Sequence, residues 1–123
     1  MFLYDWKLTN DQLHKEYTGV SNRQILENLR AIDAAGSKII LRCPVIPNVN
    51  DTDEHFLGIS SVANTLNNVL TVEIEPYHSL GNSKYKKLGK TEKCRAFKQP
   101  TEQQVEEWIT QIQKLTNVVV KKA

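Results

Sequence analysis

Three short apolar runs recur at a near-constant interval, and that interval constrains the fold more than any other feature of the chain. They are Phe2-Leu3-Tyr4, Ile39-Ile40-Leu41 and the alternating segment from Leu70 to Glu75. Their starts lie roughly 30 to 37 positions apart with one long helix-like stretch between each pair, the spacing of right-handed βαβ units. A parallel sheet in an α/β fold is therefore expected. Ile39-Ile40-Leu41 is continuously apolar, as befits a strand covered on both faces. Pro44 and Pro47 lack the amide hydrogen a ladder uses, so this strand is expected to stop at Arg42.

The helices announce themselves by caps and periodicity. Asn10-Asp11 opens a short one carrying Leu13 and Tyr17, broken by Thr18-Gly19. Ser21 or Asn22 starts a longer one with Ile25, Leu26, Leu29 and Ile32 on one stripe and Gly36 past its end. A third begins near Asn50-Asp51-Thr52, buries Phe56, Ile59, Ala63 and Leu66, and stops at Asn67-Asn68. The Lys- and Gly-containing stretch from Gly81 to Pro100 is too long for an ordinary connection and reads as a functional or partner-facing loop. Thr101 and Gln104 form a capping-box pattern for a last helix with Val105, Trp108, Ile109 and Ile112 inward, before a strand at Val118-Val119-Val120. His14 and His55 fall on polar helix faces and are expected in solvent.

With 123 residues the chain is read as a single unit, residues 1–123. A formal net charge of +2 supplies no broad field for nucleic acid or an anionic membrane, and neither partner is expected. The basic run at Lys84, Lys86, Lys87, Lys90 and Lys93 reads first as a solvated loop, with an acidic partner as the alternative. Cys43 and Cys94 fit neither a disulfide framework nor a paired metal motif, which points to reducing cytoplasm. No apolar run approaches the roughly 20 residues a membrane span needs. A sheet this small would leave long parallel edges unpaired, so the chain is expected to be a piece of a larger barrel.

Ligands of parallel α/β sheets bind at the carboxyl ends of the strands, which directs attention to Asp5, Lys7, Arg42 and His78. Asp5 and Lys7 are two positions apart and share one side of an extended chain, while Trp6 points the other way. The pair either holds a zwitterion, Lys7 on a carboxylate and Asp5 on an ammonium or cation, or forms a plain salt bridge. Arg42 either grips a carboxylate or phosphate with two bonds or pairs with Glu73 or Glu75. His78 either orients an adenine, a ribose or a carbonyl, or is a satisfied structural residue. Cys43 reads as a small buried apolar group and Cys94 as a loop thiol, and no residue is assigned a catalytic or metal-binding role.

Several linked segments carry a family resemblance. Tyr4-Asp5-Trp6-Lys7, the run from His14 to Asn22, Ile25-Leu26-Glu27-Asn28-Leu29, Arg42-Cys43-Pro44-Val45-Ile46-Pro47 with Asn50-Asp51, and the run from Pro76 to Gly81 with Lys84-Tyr85 and Leu88-Gly89 follow in order along nearly the whole chain. Together they resemble the carboxyl-terminal half of glycyl-radical-enzyme activating enzymes of the pyruvate formate-lyase activating type, in the radical S-adenosylmethionine superfamily.

The resemblance implies the C-terminal portion of a partial (β/α)6 TIM-like barrel with parallel strands. It implies that a four-iron four-sulfur cluster, held by a C-x3-C-x2-C loop, cleaves S-adenosylmethionine to a 5'-deoxyadenosyl radical that takes hydrogen from a glycine of the partner enzyme. The implied partners are a pyruvate formate-lyase-like glycyl radical enzyme and an electron donor such as flavodoxin or ferredoxin. Asp5, Trp6 and Lys7 match the segment lining the S-adenosylmethionine site, with Asp5 also suited to a monovalent cation. Arg42 matches a strand-end arginine near the cofactor, and His78 a histidine near the nucleoside. The cluster motif is absent, so the chain alone is expected to be inactive. Asn48 stands where the family often has Gly, and Asn also tolerates left-handed backbone. The alternative of a different class is a non-catalytic module that binds an anionic nucleotide or a partner protein.

Overall fold

The computed structural model describes residues 1–77 and 99–123. Strands β1 (Phe2–Asp5), β2 (Ile39–Val45), β3 (Val69–Pro76) and β4 (Val119–Lys122) form one sheet in the order β1-β2-β3-β4, and every neighbouring pair is parallel. The described helices are α1 (Asp11–Thr18), α2 (Arg23–Ala34), α3 (Asp53–Thr65) and α4 (Glu102–Gln113). The α/β class and the parallel topology expected from the recurrence of strands are both present.

One face of the sheet meets the helices. Leu41, Cys43, Val72, Ile74 and Val120 pack there with Leu29 of α2, Phe56 and Ile59 of α3, and Val105, Trp108 and Ile112 of α4. Burying such side chains is worth about 1.5 to 3 kcal/mol each, which is what holds helices this short against the sheet. Their ends follow local chemistry. Asn10 accepts the Leu13 N–H at 3.0 Å, and Gly19 closes α1 at φ 81°. Thr52 accepts the His55 N–H at 3.2 Å to start α3, and Thr101 and Gln104 complete the capping box of α4. Gly36 follows α2 at φ 79°, a left-handed conformation that costs glycine little.

Strand β2 corrects one expectation, because it runs through Pro44 to Val45. The Trp6 N–H donates to the Arg42 carbonyl at 2.7 Å and the Tyr77 N–H to the Val45 carbonyl at 3.1 Å, so even positions of β2 turn their backbone toward β1 and odd ones toward β3. Pro44 faces the β1 side at a level where β1 has already ended. Its missing hydrogen costs the ladder nothing there.

Two histidines correct another. His14 and His55 are buried, not solvent-facing. His14 Nδ1 lies 2.7 Å from the Val20 carbonyl and 3.0 Å from Thr18 Oγ1, so the chain leaving α1 folds back over the ring. His55 is covered by the loop after β1, with Nδ1 2.9 Å from Thr9 Oγ1.

The expected loop from Gly81 to Pro100, with its basic run and Cys94, lies outside the described residues but for Gln99 and Pro100. Among the described residues no helix is long and apolar enough to cross a membrane.

Candidate functional site at the strand ends

The sheet face turned away from the helices is charged. Asp5 pairs in register with Arg42, Arg42 with Glu73, and Glu73 with Lys121, so one row of alternating sign crosses all four strands. Arg42 Nη2 lies 3.1 Å from Glu75 Oε2, and Lys121 Nζ 4.0 Å from Glu73 Oε2. The acid partner that the sequence left open for Arg42 is thus Glu75. That pair is about a third exposed at each end, where an ion pair contributes no more than about 1 kcal/mol. One donor remains unused, since Arg42 Nε is buried and has no partner among the described residues.

Asp5 ends β1, and Lys7 follows two residues later. Both line an open recess of about 440 Å³ together with Tyr4, His14 and Thr18. Trp6 between them goes the other way: its indole is buried in the core, and Nε1 donates to Thr9 Oγ1 at 3.2 Å. The alternation read from the sequence is therefore present in three dimensions. Asp5, Lys7 and Arg42 share the carboxyl-end side of the sheet, whereas His78 lies outside the described residues.

Asn50 enters the sequence reading as a helix start and as part of the family resemblance, without a role at the site. Its side chain is buried between the two strand ends, where Nδ2 donates to the Lys7 carbonyl at 2.9 Å and to the Pro44 carbonyl at 2.8 Å. Its Oδ1 accepts the Ile46 N–H at 2.7 Å. Both carbonyls belong to chain that has left the β1–β2 ladder, so each needs a donor from outside it, and Asn50 supplies both. Nearby, Asn48 stands at φ 65°, the left-handed conformation anticipated for it, and its N–H donates to Asp51 Oδ1 at 2.7 Å.

Cys43 is fully buried, as expected. Burial, with the Asp5 charge adding to it, pushes its thiol well above the ordinary range and leaves it an inert apolar group. No group of three or more His, Cys, Asp or Glu side chains is placed to hold a metal ion among the described residues.

Comparison with known proteins places the chain. No family model matches it. It is 36% identical over 109 residues to the trans-4-hydroxy-L-proline dehydratase activating enzyme of Clostridioides difficile, covering 87% of this chain and 36% of that protein. It is 44% identical over 85 residues to the isethionate sulfite-lyase activating enzyme of Nitratidesulfovibrio vulgaris, covering 68% and 27%. With the pyruvate formate-lyase-activating enzyme of Streptococcus mutans it shares 34% over 105 residues, covering 85% and 40%. By sequence, the chain belongs with the glycyl-radical-enzyme activating enzymes. This activating-enzyme segment spans about a third of the length of the relatives it matches. Its fold is that of a crystallised domain of a pyruvate-formate lyase-activating enzyme from Bacteroides vulgatus, with a TM-score of 0.77 at 19% identity over 98% of this chain and 65% of that one. A four-stranded, all-parallel sheet with helices on one face is consistent with part of a TIM-like barrel.

Proposed function

We propose that this chain is the carboxyl-terminal part of a radical S-adenosylmethionine activating enzyme that installs a glycyl radical on a partner such as a pyruvate formate-lyase-like enzyme. Its length relative to its relatives supports the reading. So do the exposed apolar side chains on the outer strands, Phe2 and Leu3 on β1 and Val119 on β4, which suit edges that further strands continue. The reaction would run in the cytoplasm with flavodoxin or ferredoxin as electron source.

The observation that carries the proposal is the placement of Asp5 beside Arg42, with Lys7 two residues on, at the carboxyl ends of parallel strands. A methionine-type zwitterion needs an anion for its ammonium and cations for its carboxylate within a few ångströms of each other. This face has both signs, and Arg42 Nε, buried and without a partner among the described residues, is a donor suited to an anionic group. The described residues thus fit S-adenosylmethionine, with Lys7 and Arg42 toward its carboxylate and Asp5 toward its ammonium or a bound monovalent cation; the family resemblance assigns His78 to its nucleoside. Trp6 holds the segment in place from the core side. The residues do not fit the iron-sulfur cluster, because the chain has only two cysteines, of which Cys43 is sealed in the core. The three thiolates would come from the rest of the enzyme. When bound, cluster and S-adenosylmethionine together supply the one-electron chemistry that removes hydrogen from the partner's glycine.

The test is an anaerobic mixture of the cluster-loaded protein carrying this segment, a glycyl radical enzyme from the same genome, S-adenosylmethionine and a reductant. Electron paramagnetic resonance should record a glycyl radical on the partner. Its absence with every glycyl radical enzyme of that genome would overturn the proposal.

A further inference from the structure

We infer that Asn50 is a positioning residue that sets Lys7 against the end of β2, and so tunes ligand affinity at the strand-end face without touching the ligand. The inference rests on the reading of that face as an S-adenosylmethionine site. It starts from where the β1–β2 ladder stops. The last backbone bond between these strands runs from the Trp6 N–H to the Arg42 carbonyl, at 2.7 Å. One step further a parallel ladder would use an N–H from position 44 of β2, and Pro44 has none. Beyond that point the ladder cannot hold the chain that carries Lys7.

The Asn50 amide spans the gap. Both Nδ2 hydrogens are used, one on the Lys7 carbonyl at 2.9 Å and one on the Pro44 carbonyl at 2.8 Å, while Oδ1 takes the Ile46 N–H at 2.7 Å. Asn50 is only 4% exposed, so these bonds are sheltered from competing water. Asn is suited to this by its geometry: a short planar group with two donors and an acceptor at fixed angles. The same residue sits three positions before α3, so the contact also couples the Lys7 segment to the helix that begins at Asp53. Lys7 lines the recess with Asp5; Trp6 before it is tied to β2 and Leu8 after it to Asn22, while its own carbonyl is held by Asn50.

Asp at position 50 keeps the shape and the Ile46 bond but turns an oxygen toward two carbonyl oxygens. The test is a double-mutant cycle on the cluster-loaded protein that carries this segment, read as the dissociation constant for S-adenosylmethionine with the melting temperature beside it. Asn50→Asp and Lys7→Ala should each weaken binding about tenfold, and the double variant should bind no worse than Lys7→Ala alone, because Asn50 acts through Lys7. Equal losses from Asn50→Asp with and without Lys7 would overturn the inference, as would a lowered melting temperature at unchanged affinity. If Lys7→Ala weakens binding and Asn50→Asp does not, the inference alone falls. If neither variant affects binding, the site reading falls with it. Asn50→Ser, which keeps a small polar group but removes the second donor, carries the same cycle should Asn50→Asp fail to fold.

Discussion

Thr9 Oγ1 lies 2.9 Å from Nδ1 of His55 and 3.2 Å from Nε1 of Trp6, so one hydroxyl joins the loop after β1 to the first turn of α3 and to the core. The same hydroxyl donates to the His55 carbonyl at 3.4 Å, so Thr9 holds the residue at both backbone and ring, and the ring's other nitrogen, Nε2, points into the protein. That atom is buried and has no partner among the described residues. Burial accordingly lowers the His55 pKa from 6.5 to about 4.

The sign of the pH effect follows from that shift. Between about pH 6.5 and 4 the unfolded chain binds a proton at His55 that the folded chain refuses, so stability falls as the pH drops through this window. The loss from this residue is on the order of 3 kcal/mol once the pH is below both values. Melting temperatures measured across the window should fall in the parent and flatten in His55→Asn, which keeps a polar group beside Thr9 and does not titrate. Equal slopes in the two proteins would contradict the assignment.

Gly58 in α3 packs against the same threonine. A β-carbon there would run into the Thr9 side chain, so Gly58→Ala forces the threonine out of its bonds with Trp6 and His55. Alanine in a helix interior normally gains up to about 1 kcal/mol over glycine. Here the overpacking should prevail and cost about 1 to 3 kcal/mol, read as a lower urea midpoint. A stabilised variant would mean that Thr9 has another place to go.

Anaerobic treatment of the 123-residue chain with iron and sulfide should give no cluster absorbance and no cleavage of S-adenosylmethionine, because two cysteines cannot supply three thiolates. Cluster-dependent formation of 5'-deoxyadenosine by this chain alone would contradict the division of labour proposed above.

Much of the architecture was legible because it depends on local chemistry repeated along the chain. Ile39-Ile40-Leu41 between two helical stripes specifies a parallel strand, although helices cover only its Ile39 and Leu41 side among the described residues, and Thr101 with Gln104 specifies the start of α4. The misses came from contacts between distant segments. A helical wheel put His55 on a polar face because Thr9, its partner, is 46 positions away; His14 was misread because Val20 returns over it only after the helix has ended. Pro44 reads as a stop in the sequence because the direction of a strand's backbone groups is unknown until its neighbours are placed. At the site, the sidedness of Asp5, Trp6 and Lys7 followed from alternation alone, whereas the Arg42–Glu75 pairing and the Asn50 tie required the register of the strands.

Whether the strand-end charges hold S-adenosylmethionine is decided by a calorimetric titration of that molecule into the cluster-loaded protein carrying this segment. Lys7→Ala and His78→Ala should each weaken binding while cluster absorbance stays at the parent level. Loss of a charge-assisted contact at Lys7 is worth about 1.5 to 3 kcal/mol, or roughly 10- to 150-fold in affinity. Gln111→Ala, on the exposed face of α4, should bind as the parent does. If both strand-end variants bound S-adenosylmethionine as tightly as the parent, the charged face would not be its site and the account would be wrong.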